Sequence, residues 1–237
     1  MNDLKNLKND LRSFQRLEKA KILMRFFKTG KGEYGEGDEF LGLMTDETRS
    51  VAKKYFDLPL ADISKLLASK LHEERVVAVM ILAKRLNKAD LSGKKEIYDF
   101  YFKNISGINN WDLVDSSAPI IVGGYLYLSG ETREVLYKLV KSNNLWKKRI
   151  AMMATFYFIK ERDFSDALKI AEILVNDSHD LIHKAVGWML REVGNRDIGT
   201  EEKFLEKYYK QMPRTMLRYA IEKFPEEKRQ KCLKGKI

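Results

Sequence analysis

Lys184-Ala185-Val186-Gly187-Trp188-Met189-Leu190-Arg191-Glu192 reads as the middle of an amphipathic helix, with apolar side chains three and four residues apart. An alanine opens its apolar run. Alanines hold the same place in every second helix that the chain suggests: Ala78, Ala118, Ala151, Ala185 and Ala220, separated by 40, 33, 34 and 35 residues. The runs beside them include Val79-Met80-Ile81-Leu82, Ile120-Ile121-Val122 and Met152-Met153. A small residue at a repeated position lets neighbouring helices approach closely.

Outward from this helix the chain reads as helix after helix. Leu4, Leu7, Leu11 and Phe14 recur at helical spacing. Periodicity then predicts helices over 18–28, 45–56, 60–69, 73–86, 94–104, 111–128, 132–141, 145–160, 165–175, 180–193, 200–211 and 213–224. Pro225 opens a short last helix, and Pro213 and Pro225 are expected in first turns, where a missing N–H is harmless. No run of alternating strands stands out. Two helices per repeat of this length are the signature of an α-solenoid closest to HEAT-type repeats. The expected fold is all-α, a solenoid of HEAT-like helix pairs forming a single domain over 1–237, with the second helices lining a concave groove.

Bulk composition sets limits. At 237 residues the chain can bury a sizeable core, and 44% hydrophobic with 33% charged residues argues against disorder. Lys and Arg number 44 against 34 Asp and Glu; the net charge of +10 suits a polyanion such as nucleic acid, though a solubilising surface explains it too. One cysteine, Cys232, cannot form an internal disulfide, which fits a reducing, cytoplasmic compartment. Met1-Asn2-Asp3-Leu4-Lys5 is unlike a signal peptide, and no apolar run approaches the roughly 18 residues of a membrane span.

The chemistry centres on Trp111-Asp112-Leu113-Val114-Asp115-Ser116, opening the helix after Gly107-Ile108-Asn109-Asn110. Either Asn109 or Asn110 can cap the first turn, and Asp112 suits the positive end of the helix dipole. Trp111 and Asp115 stand four apart on one face. A ring and a carboxylate side by side suit a cationic ligand. Taken alone, the pair reads better as a half-buried Trp beside a solvated Asp.

If second helices face the groove, it is lined by Arg75, Trp111, Asp115, Lys147, Lys148, Arg149, His183, Lys184, Trp188, Arg191, Arg214 and Arg218. Cations interleaved with aromatics suit a DNA backbone and its bases, while for any single cation a solvated helix face is the plainer reading. Trp146 reads as core. His179 and His183 have a metal-ligand spacing without an evident third ligand, so no metal is expected; His72 stands alone. The glycine-rich 29–38 loop lacks the sequence of a phosphate-binding loop, and Ser116 and Ser117 lack a triad histidine.

The chain resembles the AlkD-type family of DNA alkylation repair glycosylases, built from HEAT-like repeats. The likeness lies in Gly32-Glu33-Tyr34 with Phe40-Leu41-Gly42 and Arg49, and in Asn110-Trp111-Asp112-Leu113-Val114-Asp115. It continues in Asn144-Leu145-Trp146 with Arg149-Ile150-Ala151, in Lys184 to Glu192, and in Met212-Pro213-Arg214-Thr215 with Arg218-Tyr219-Ala220-Ile221-Glu222. The resemblance implies a catalytic Asp115, aromatic Trp111 and Trp188 flanking the damaged nucleotide, and Arg149 holding DNA. Asn110 stands where some members carry an aromatic. It further implies a cofactor-free, monofunctional glycosylase removing positively charged N3- or N7-alkylated purines from double-stranded DNA. Lys148, Lys184, Arg191, Arg214 and Arg218 are the further expected DNA contacts, and a monomer with no membrane partner is expected. Two rivals share parts of the pattern. A non-catalytic solenoid binding damaged or branched DNA has no need of Asp115. A protein-interaction scaffold needs neither Asp115 nor the basic face.

Overall fold

The computed structural model describes residues 3–236; Met1, Asn2 and Ile237 lie outside the described residues. The fold is all-α, and among the described residues the only β pairing is an isolated bridge between Glu39 and Leu71. The chain divides into two compact units, Met1–Ser117 and Ala118–Ile237.

The first unit holds α1 (Asp3–Ser13), α2 (Leu17–Phe26), α3 (Thr45–Lys54), α4 (Leu60–Leu67), α5 (His72–Lys88), α6 (Leu91–Lys103) and nearly all of α7 (Trp111–Ala118). Helix α5 is its centre, packing against α1, α3, α4 and α6. Val77, Ala78, Val79, Ile81 and Leu82 are fully buried, so this helix is apolar on most sides rather than along one stripe. The first turn of α5 also anchors a loop. The Glu73 carboxylate accepts from the backbone N–H groups of Leu41, Gly42 and Leu43, at 3.0, 2.8 and 3.2 Å. Gly42 has φ +89° there, and a Cβ would fall 2.4 Å from the Arg16 carbonyl oxygen.

The second unit begins with a π-helical turn, Pro119–Gly123, and continues through α8 (Gly124–Ser129), α9 (Glu134–Val140), α10 (Leu145–Lys160) and α11 (Ser165–Leu174). It ends with α12 (Asp180–Gly194), α13 (Ile198–Tyr208), α14 (Arg214–Ala220) and α15 (Glu226–Leu233). The single expected helix over 111–128 is thus interrupted in kind. Pro119 has no N–H and its ring crowds the preceding turn, and the backbone accommodates it with a wider turn instead of a break. Pro213 and Pro225 sit one residue before their helices, at the N-cap with extended ψ, rather than in the first turn. Helix α10 packs on the π turn, α9 and α12, and α12 packs on α14. Gly187 sets the last contact: a Cβ there would lie 2.4 Å from the Met216 carbonyl oxygen and 2.5 Å from Tyr219 Cβ. The repeat alanines Ala78, Ala118, Ala151, Ala185 and Ala220 are all fully buried.

Candidate active site

Helix α7 starts where Asn110 ends the preceding loop. The Asn110 carbonyl accepts the first helical bond, from Val114 N–H at 3.1 Å, and its side-chain oxygen accepts from Trp111 N–H at 2.8 Å. Asn110 is the capping residue of the two asparagines read from the sequence. Its amide donates to Asp38 Oδ2 at 3.2 Å, fixing the cap to another part of the unit.

Trp111 is half-buried, and its indole lies on the core formed by Ala20, Phe27 and Phe40. Phe27 stacks on it with centroids 5.1 Å apart, and Phe26 meets it edge-on at 5.9 Å. One turn further along, Asp115 is also half-buried. Its negative charge reaches the hydroxyl of Tyr101 on α6. That hydroxyl is driven well above the usual tyrosine range first by complete burial, with Asp115 adding to the rise. Ser117 donates to the Leu113 carbonyl at 2.5 Å, so Tyr101 is the donor in its 3.0 Å contact with Ser117. Trp111 and Asp115 therefore share one helix whose two ends are held by separate contacts.

His72 does not stand alone. It is 2% exposed, with Nδ1 3.2 Å from Asp38 and Nε2 2.7 Å from Asp112. Arg75 was expected to line a groove. It is 4% exposed and paired with Asp38 at 2.6 Å, so its charge is spent inside the unit. Burial would raise Asp38, but the hydrogen bond from His72 and the charge of Arg75 outweigh it and hold the carboxyl below the usual range. Burial would likewise lower His72, yet the charge and hydrogen bond of Asp112 prevail and the imidazole is held above its ordinary value.

In the second unit, Lys148 and Arg149 lie near the start of α10, as its fourth and fifth residues, after an Asn144 cap that accepts from Trp146 and Lys147 N–H, both at 3.0 Å. Trp146 is buried, as expected. Trp188 is half-buried on α12; its indole N–H donates to Glu192 at 3.3 Å, and Arg196 holds the other oxygen of that carboxylate at 2.9 Å. Phe156 of α10 lies 6.3 Å from the indole.

Most of the expected phosphate contacts have acidic or carbonyl neighbours. Lys148 pairs with Asp177 at 2.6 Å, Lys184 with Asp180 at 2.7 Å, and Arg191 with Glu222. Arg149 is 4% exposed and donates to the Leu181 carbonyl, and Arg214 donates to the Leu233 carbonyl at 2.6 Å. Arg218 is exposed on α14. His179 is the N-cap of α12, its Nδ1 accepting from Leu181 N–H at 3.1 Å; burial holds the imidazole below its ordinary value, in the neutral form an acceptor needs. His183 meets the Asp177 carbonyl through Nε2. Both histidines are thus engaged locally, and no cluster of three or more metal-binding side chains occurs among the described residues.

The model of a family described as DNA alkylation repair enzyme matches residues 7–224. A solved structure described as a predicted DNA alkylation repair enzyme from Enterococcus faecalis superposes with a TM-score of 0.69 at 15% identity, covering 89% of this chain and 96% of that one. AlkD2 from Streptococcus mutans superposes with a TM-score of 0.54 at 17% identity, covering 93% of this chain and 96% of that one. At these identities the two structures establish the fold alone. No curated protein matches the chain.

Proposed function

The chain belongs to the DNA alkylation repair enzyme family, and on that premise we propose that it is a monofunctional DNA glycosylase releasing N3- and N7-alkylated purines from duplex DNA. Family membership implies DNA as the partner. The observation that carries the finer reading is on α7, where an indole backed by Phe27 stands one turn before a half-buried carboxylate.

An N3- or N7-alkylated purine is cationic, and its bond to the sugar is weakened because the base leaves neutral. Breaking that bond gives the base the shared electron pair and leaves oxocarbenium character on the deoxyribose. The Asp115 carboxylate opposes that positive charge and orients a water toward C1′; the water's oxygen forms the new bond and its proton passes to the carboxylate or to solvent. Trp111 and Trp188 offer ring faces to a cationic base, an attraction a neutral base lacks. Lys148, Lys184, Arg191, Arg214 and Arg218 supply contacts to the phosphates, those with carboxylate neighbours exchanging one anion for another, while Arg149, 4% exposed and donating to the Leu181 carbonyl, supports the start of α10 behind them.

The test is chromatographic detection of free base after incubating the chain with methylated duplex DNA. Released 7-methylguanine or 3-methyladenine supports the reading. Salt-sensitive DNA binding with no released base contradicts it and leaves a non-catalytic DNA-binding protein.

A further inference from the structure

We propose that His72 is a positioning residue: it ties the first turn of α7 to the Asp38 loop and to α5, and so fixes the helix face that presents Trp111 and Asp115. The inference rests on the reading of Asp115 given above.

The geometry is specific. Asp112 is the second residue of α7, in a first turn whose N–H groups have no partners within the helix and whose placement depends on anchors from outside it. His72 supplies anchors of two kinds. Its Nε2 bonds Asp112 in that first turn at 2.7 Å. Its ring stacks on Phe40 at 4.6 Å and lies 4.9 Å from Phe27, the ring on which Trp111 rests. The loop side is pinned by backbone bonds from Glu39 N–H to the Lys70 carbonyl at 3.0 Å and from His72 N–H to the Glu39 carbonyl at 2.8 Å.

The charged groups facing the imidazole are Asp38 from the loop, Arg75 from its own helix and Asp112 from α7; from the end of α2 only the Phe27 ring approaches. Asp38 already has Arg75 at 2.6 Å, whose Nη2 also lies 3.2 Å from His72 Nδ1; an imidazolium adds a cation for Asp112, 2.7 Å from Nε2, and turns an N–H on Nδ1 toward Asp38. Its imidazole is held above the ordinary histidine value, burial being outweighed by Asp112 and Asp38. A folded value above the unfolded one places the clamp's contribution below the unfolded value and removes it as pH rises through the folded one. Displacements of about 1 Å at a reacting centre cost on the order of 100-fold in rate, so a loosened first turn is felt one turn away at Asp115.

The experiment compares the full chain with His72→Gln, Asp112→Asn and the double variant, each confirmed as folded by circular dichroism. Two quantities are read on methylated duplex: single-turnover excision rate at saturating protein, and DNA affinity. The expected result is an excision rate reduced at least about tenfold in each single variant with affinity within about twofold. The double variant should be no slower than the slower single one, because both substitutions cut the same link. The wild-type rate should also lose an alkaline limb in His72→Gln. Folded single variants with wild-type rates, or losses that multiply in the double variant, overturn the proposal. A wild-type chain that releases no base sinks the glycosylase reading instead. The clamp is then judged by the imidazole ¹⁵N resonances of His72, where titration at an ordinary value overturns it and a raised value that falls in Asp112→Asn upholds it.

Discussion

The indole of Trp111 lies flat on the phenyl ring of Phe27, with centroids 5.1 Å apart and planes 7° from parallel. Phe27 also contacts Phe26, Phe40 and His72 within 5.2 Å, so one buried ring is the platform for the whole aromatic group. Aromatic pairs contribute about 0.5–1.5 kcal/mol beyond the area they bury. Phe27→Leu keeps most of the volume and loses the stacking. It should destabilise the chain by about 1–3 kcal/mol, read from urea unfolding. A midpoint unchanged from wild type would remove Phe27 as the support of Trp111.

Glu201 gives the clearest pH dependence. It is 2% exposed, and burial first, then the charge of Glu202, pushes its carboxyl up to about 8 against the opposing charges of Arg191 and Lys228. Between its unfolded value of about 4.3 and that folded value, the native chain holds a proton that the unfolded chain has released. The folded state therefore binds more protons, and stability falls as pH rises across this window, by at most about 1.4 kcal/mol per pH unit. Glu201→Gln should flatten that slope and raise the melting temperature at pH 8 relative to wild type. Parallel stability–pH curves for the two proteins would show that Glu201 ionises normally.

Arg218 is exposed on α14, whereas Lys148 already holds Asp177 at 2.6 Å. Removing a cation that releases counterions on binding lowers the salt dependence of affinity by about one unit of slope. Arg218→Ala should do so without altering stability. Lys148→Ala should change the slope less, because its carboxylate neighbour already neutralises it. An Arg218→Ala slope equal to wild type would take this residue off the DNA surface.

Much of the architecture was legible because local periodicity determines it. Helix α10 has the two ends that its apolar pattern indicated, with Asn144 as cap, and the repeat alanines are buried where helices meet. The π turn at Pro119 was missed because apolar spacing registers the face of a helix and not the width of its turns. The polar network behind Trp111 was out of reach for another reason. His72 meets Asp38 and Asp112 across 34 and 40 residues, separations at which no local pattern acts. The pairing of cations divides along the same line. Asp180 and Lys184 follow from their four-residue spacing on a helix, while Arg191 and Glu222 meet only because α12 packs against the segment after α14.

The most direct test of the account is the single-turnover excision rate of Asp115→Asn on methylated duplex, with DNA affinity measured alongside. Asn is nearly isosteric and removes only the charge that opposes the oxocarbenium. The rate should fall at least about 100-fold below wild type, as for loss of one group stabilising transition-state charge, with affinity unchanged within about twofold. A variant that excises at the wild-type rate would contradict the assignment of Asp115 as the catalytic carboxylate.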